Sequence, residues 1–265
     1  MSNLIRQSGD CCSSARENSG QPFPTTGRAK ENTDLSLAQL KKRIREGASA
    51  GLKSRVYAYV LSSVRIEQKP SSNAEDYYFI QDGCAPNFQG GYITLCTCKH
   101  QMRSRLPKEA WPGRWIAGFT TRRRLRQHYL FYLMRVEEAF ESPLALWNHS
   151  KIPEQRRQAK CASNDRYGDL FRPLKSAADA FRPCSYATPI DEHAHHKPKE
   201  PDQWHRDICY QSRSGHPPAL LVGDPSLSFL WTVPIISSVG DLPRNYCTCD
   251  CLEAFLRDLK VASVS

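Results

Sequence analysis

Trp115-Ile116-Ala117-Gly118 and Tyr129-Leu130-Phe131-Tyr132-Leu133-Met134-Arg135-Val136 are the two apolar runs that decide the fold. Both read as core strands. A third strand precedes them at Arg55–Leu61, with Val56, Ala58 and Val60 on one face and Tyr57, Tyr59 and Leu61 on the other. Both faces are apolar enough to be covered. Tyr92–Cys98 alternates as well, which places Cys96 and Cys98 about 7 Å apart on one strand face, lining one pocket. Ala219–Gly223 and Ser228–Ile236 read as two further strands, with Asp224-Pro225-Ser226 as the turn between them. Phe229 and Trp231 share a face and read as core.

Around this body lie helical and irregular segments. Residues 1–33 are rich in Ser, Gly, Asn and Arg without apolar periodicity, the pattern of a disordered tail. Over residues 34–51, Leu37, Leu40 and Ile44 share one face of a short basic amphipathic helix, capped by Asp34 or Ser36. Val64–Glu75 is polar and reads as an inserted loop, and Tyr77–Ile80 as a short strand. Ser142-Pro143 places a cap and a first-turn proline before Leu144–Trp147. Residues 241–265 form a helical extension, in which Asp250 and Glu253 make a capping box ahead of Leu252, Phe255, Leu256 and Leu259.

Charge narrows the partner. The 265 residues carry a net charge of +10, which favours anionic partners, nucleic acid first. Between Lys99 and Arg126 nine lysines and arginines face one acid, Glu109. Arg122-Arg123-Arg124 reads as an exposed hairpin tip, and Lys99, Arg103 and Arg105 as further phosphate contacts. Met1–Asp10 lacks the apolar core of a secretory signal, and no apolar run reaches the roughly 20 residues of a membrane span. The eleven cysteines therefore read as reduced thiols in a cytoplasmic protein without membrane contact.

Three segments carry chemistry beyond charge. Cys98, or Cys96, is a candidate thiolate nucleophile tuned by Lys99 or a nearby arginine. Asp169, in the loop Tyr167–Phe171, and His195 or His196 are candidate acid–base groups, with His196 the chosen one. His193, His195 and His196 beside Asp191 and Glu192, and Cys247, Cys249 and Cys251, are metal-ligand types without a second element at a recognised spacing, so no metal is assigned. GxGxxG, Walker A, GxSxG, HExxH and paired CxxC motifs are absent, and no cofactor is expected.

The order of these motifs resembles the nucleotide modification associated domain families, prokaryotic and phage proteins tied to hypermodified DNA bases. The relatives' "GFAPNPF" is matched at Gly83–Phe88, "TLATCKPKIRR" at Thr94–Arg105, "GDWIVGTG" at Gly113–Gly118 and "LVYAMRV" at Leu130–Val136. Trp147-Asn148, Gly168-Asp169, His195-His196, Leu220–Gly223 and Phe229–Trp231 follow in the same order, so the likeness spans about Arg55 to Ile236 and implies a domain over residues 55–240. Cys84, His100 and Arg114 depart from the relatives' aromatic, proline and aspartate.

The resemblance implies an α+β protein around a mixed β-barrel similar to the EVE, ASCH and PUA-like barrels, with flanking helices. It also implies a flipped base held between the Gly83–Asn87 loop, where Asn87 lies, and the strand of Trp115. The function that follows is binding, or helping to generate, modified nucleobases, alone or beside other DNA-modification enzymes. The alternatives are a base-modifying enzyme using a cysteine thiolate, and a non-catalytic protein-interaction subunit.

Overall fold

A computed structural model of the chain describes residues 21–22, 32–47, 52–61, 63–68, 77–81, 86–122, 127–149, 152–175, 179–190, 201–209, 215–238, 240–243 and 245–262. The strands in chain order are β1 (Gln21–Pro22), β2 (Val56–Leu61), β3 (Val64–Gln68), β4 (Tyr77–Gln81), β5 (Thr94–Leu95), β6 (Trp115–Thr120), β7 (Leu130–Phe140), β8 (Leu220–Leu230), β9 (Ile236–Ser238), β10 (Cys247–Cys249) and β11 (Leu259–Val261). The helices are α1 (Leu37–Gly47), α2 (His100–Arg103), α3 (Pro143–Trp147), α4 (Glu154–Ala159), α5 (His205–Ile208) and α6 (Leu252–Arg257).

The main sheet runs in the order β10-β2-β6-β7-β8-β5. β2 lies parallel to β6 and every other neighbouring pair is antiparallel. β2 and β6 are buried along their whole length, as an apolar strand covered on both faces requires. Gly118 is needed where β6 crosses β7: a Cβ there would lie 2.1 Å from the Tyr132 ring, and the register shifts at this point. Tyr132 in turn shares a 2.6 Å hydroxyl contact with Tyr59 inside the core, and burial raises its pKa. Among the described residues the expected closed barrel is not formed. β10 and β5 end the sheet with three and two residues, too little strand to meet the tilt and stagger that closure demands. The architecture is mixed α+β, with smaller sheets β1-β4-β3 and β11-β9 beside the main one.

Several local expectations change in the folded chain. Val64–Gln68, expected within a loop, is β3 and pairs with β4, because Val64 and Ile66 alternate into the core. Tyr92–Cys98 is strand only at Thr94–Leu95. Asp224-Pro225-Ser226 does not separate two strands. The Asp224 carboxylate accepts from the Ser226 N–H and hydroxyl, making a local turn that bulges out of one continuous strand, β8. The β7–β8 register passes from Met134↔Ser228 to Val136↔Gly223 across that bulge, which absorbs the proline. Ser228–Ile236 correspondingly divides between β8 and β9.

The ends show where capping chemistry was legible. Ser36 and Gln39 exchange bonds at the start of α1, the Gln39 N–H donating to Ser36 Oγ and the Ser36 N–H to Gln39 Oε1. Leu40 and Ile44 are fully buried. Asp34 serves another purpose: at φ 54° its carboxylate accepts from Thr232 N–H and Oγ1–H, tying this segment to the end of β8. Ser142 caps α3 as expected, through the Ala145 N–H. α6 begins one turn position later than expected, with Cys251 rather than Asp250 as cap and its sulfur accepting from Ala254 N–H. Of the segment expected to be a tail, Gln21–Pro22 pair with β4 as β1, and Asn32 and Thr33 also join the fold, Asn32 donating to the Pro225 and Ser226 carbonyls and Thr33 bridging Leu230.

Candidate functional site: a buried polar network at the β5 edge

Two loops meet at the short edge strand β5. The first is closed by a backbone bridge between Asn87 and Thr94, with a 3-10 turn at Gln89–Gly91 in which Gly90 and Gly91 have φ of 70° and 80°. The second runs from Lys160 to Leu170 and closes on itself, Ala162 N–H donating to the Leu170 carbonyl and Leu170 N–H to the Lys160 carbonyl. Gly168 permits that closure, because a Cβ at this position would stand 2.5 Å from the Cys161 backbone. The closed loop sets Lys160 and Asp169 side by side beneath the first loop.

Their side chains form one buried network. Lys160 Nζ donates to the Asn87 carbonyl (3.3 Å), Asn87 Oδ1 (2.8 Å), the Tyr92 carbonyl (2.7 Å) and Thr94 Oγ1 (3.2 Å). Asn87 Nδ2 donates to the Tyr167 carbonyl at 2.6 Å. The Thr94 hydroxyl donates to Asp169 Oδ1 at 2.8 Å, and Cys96 N–H donates to Asp169 Oδ2 at 3.2 Å. Asp169 is 0% exposed and Lys160 2%. Burial raises the Asp169 pKa, while the Lys160 charge and the Thr94 and Cys96 donors pull it back. Burial also pushes the Cys96 thiol well above its ordinary value, and Asp169 adds to the shift, so this sulfur is held as a thiol.

Arg103 extends the network inward. At 1% exposure it donates from Nε to the Cys98 carbonyl (2.7 Å) and from one Nη to the Pro218 (3.2 Å) and Ala219 (2.7 Å) carbonyls, which locks α2 to the entrance of β8. Burial lowers its pKa, opposed by Cys96, Asp207, Cys98 and Asp169. Next to it, His100 Nε2 lies 2.9 Å from Asp207 Oδ1, a contact between α2 and α5. The histidine that departs from the relatives' proline thus carries a contact that proline cannot make. Chemically the cell can hold two loops and two helices against one sheet edge, and it can hold a proton on Asp169 or Cys96. All of its central atoms are closed to solvent.

The sequence-derived candidates separate into two groups. Asn87, Asp169 and Arg103 come together in the buried network. Trp115 is 0% exposed in the core, so it does not present a face for base stacking, and Arg103 does not present its guanidinium to phosphate. Cys96 and Cys98 do not share a pocket: the chain bends after Leu95, sending Cys96 to a satellite cluster with Leu146, Ile152, Leu170, Leu220 and Val222, and Cys98 to the main core. Lys99, half-buried at φ 59°, donates to the Val60 carbonyl at 3.1 Å and lies 4.8 Å over the Tyr59 ring. Arg105 is exposed, and Arg122 is exposed but paired with Asp241. Arg123, Arg124 and His196, together with His193 and His195, lie outside the described residues. No group of three or more metal-ligating side chains occurs among the described residues.

Sequence reasoning missed Lys160 and the His100–Asp207 contact. Lys160 stands in an unpatterned polar run, 73 residues from Asn87, and no local signal marks it. No described helix is long and apolar enough to cross a membrane.

No curated protein and no solved structure matches the chain. Residues 77–207 match the family model described as Nucleotide modification associated domain 2. The network's side chains, from Asn87 to Asp207, all fall inside that segment.

Proposed function

We propose that this protein is the nucleic-acid-binding component of a nucleotide modification system, contacting DNA through exposed cations of its domain and recognising modified bases. The observation that supports this reading is a division of labour within the matched segment. Its buried titratable groups are committed to hydrogen bonds inside the fold, whereas Arg105 projects from the same basic run into solvent. With a net charge of +10, a phosphate backbone is the partner that such a surface favours.

Binding of plain and modified-pyrimidine DNA duplexes across a range of salt tests the reading. A preference for the modified duplex that survives higher salt supports base recognition. Equal, salt-sensitive binding reduces the reading to a phosphate grip. Absence of binding at moderate salt removes it in favour of a protein-interaction subunit.

One observation favours a second reading, a base-modifying enzyme. Asp169 has a raised pKa beside Lys160, a pairing suited to proton transfer, which shifts the chemistry from a thiolate to an acid–base pair. Under it, Cys98→Ser retains turnover and Asp169→Asn loses it. Wild-type protein without turnover on any DNA defeats it.

A further inference from the structure

Three arginines stack on aromatic rings along one face, outside every residue considered above for binding. Arg156 lies 4.4 Å over the Tyr92 ring, Arg157 5.9 Å over Trp147 and Arg166 5.5 Å over Tyr167. The face is continuous. Tyr92 and Trp147 pack on the same satellite core, α4 carries Arg156 and Arg157, and Asn164 Nδ2 donates to Gln158 Oε1 at 2.7 Å, fastening the loop of Arg166 to α4.

The face is also held in place from below. Gly90, at φ 70°, seats its turn against α4 so closely that a Cβ would lie 3.2 Å from the Arg156 carbonyl. Lys160 ties the Tyr92 carbonyl into the buried network. Two neighbouring acids are engaged elsewhere, Asp165 accepting from Tyr167 N–H at 2.7 Å and Glu138 contacting His149 at 2.6 Å. Arg156, Arg166, Tyr92 and Trp147 are all half-buried, so each keeps part of its surface in solvent.

A guanidinium seated on an aromatic ring keeps a flat π-surface and outward N–H groups. Successive flat groups of this kind, interleaved with positive charge, suit unstacked bases joined by phosphates. Duplex DNA hides its base faces and offers such a surface only phosphates. We infer that the α4 face, built on Tyr92, Trp147, Arg156 and Arg166, binds single-stranded nucleic acid by base stacking. The inference rests on the nucleic-acid reading above and narrows it to an unpaired strand at a defined place.

The test compares fluorescence anisotropy of a labelled oligothymidylate strand and of a duplex of equal length on the full chain. Arg156→Gln with Arg166→Gln avoids Arg157, whose guanidinium donates to the Trp147 carbonyl. The wild type is expected to prefer the single strand. The double variant is expected to lose about 10- to 100-fold in single-strand affinity and far less in duplex affinity, with an unchanged melting temperature. Trp147→Phe gives an independent readout: it should abolish the part of the tryptophan fluorescence quench that the single strand produces, and it decides the matter if the double variant does not fold.

A folded double variant that binds the single strand like wild type overturns the inference, as does a loss equal for strand and duplex. In both cases the general nucleic-acid reading stands on the wild-type binding. A wild type that binds neither probe overturns both readings, and capture of an acidic protein by this face would then replace them.

Discussion

The β5-edge network and the α4 face use the same kinds of residue, lysine and arginine beside polar and aromatic groups, and put them to opposite ends. In the network Arg103 and Lys160 are sealed from water and donate to carbonyls, an amide oxygen and a hydroxyl, with Arg103 Nη2 alone of the guanidinium nitrogens left without a partner among the described residues. On the α4 face Arg156 and Arg166 rest on rings and keep a side towards solvent. Buried charge contributes through the cost of disturbing it, and exposed charge through what it attracts from outside. Charge content therefore does not mark a binding residue in this domain; depth does.

The largest expected effect lies on the buried side. Arg103→Ala should cost about 3–5 kcal/mol in urea unfolding, because it strands carbonyls at Cys98, Pro218 and Ala219 and leaves Asp207 and Asp169 without their neighbour. A loss under about 1 kcal/mol would place Arg103 with the surface cations and dissolve the contrast.

Thiol chemistry sharpens the comparison next. Exposed Cys184 and Cys209 should react with iodoacetamide at pH 8 at least about a hundredfold faster than Cys96, whose thiol is both buried and held protonated. Peptide mapping reads the order. Rapid labelling of Cys96 or Cys98 in the native protein would restore the thiolate mechanism.

A smaller effect comes from the pH dependence of stability. The folded pKa of Asp169 is raised above its unfolded value by burial, so its contribution is fully present below the ordinary carboxylate range and is lost as pH rises through the folded value. Relative to Asp169→Asn, the wild type should become less stable as pH climbs from about 4. A relative gain over that window would mean that the charge of Lys160 outweighs burial.

The smallest effect belongs to the surface. Arg105→Ala should leave stability within about 0.5 kcal/mol and lower the salt slope of DNA binding by about one. An unchanged slope would remove Arg105 from the phosphate contacts.

Much of the strand framework was legible because its signals are local. Val56–Leu61, Trp115–Gly118 and Leu130–Val136 announce themselves by apolar length, Ser142-Pro143 by cap chemistry, and Phe229 and Trp231 by their shared face. The bulge at Asp224–Ser226 was misread because a turn inside a strand and a turn between strands use the same residues; only the register with β7 tells them apart. The Cys96–Cys98 pairing failed for a related reason. Alternation places two side chains on one face only while the strand continues, and β5 stops at Leu95.

The sequence by itself determined an α+β chain with apolar core strands, a basic surplus and a motif order that resembles the nucleotide modification associated domain families, since each of these depends on composition or near-neighbour pattern. Tertiary structure alone decided which cations are available. Arg103 and Arg105 stand two positions apart in one basic run, yet one meets the carbonyls of Pro218 and Ala219 from across the chain and the other meets water. Likewise nothing near Lys160 in the chain foretells Asn87, Thr94 and Asp169 as its company. Burial of a charge is settled by groups distant in sequence, and they become its neighbours only when the sheet edge forms.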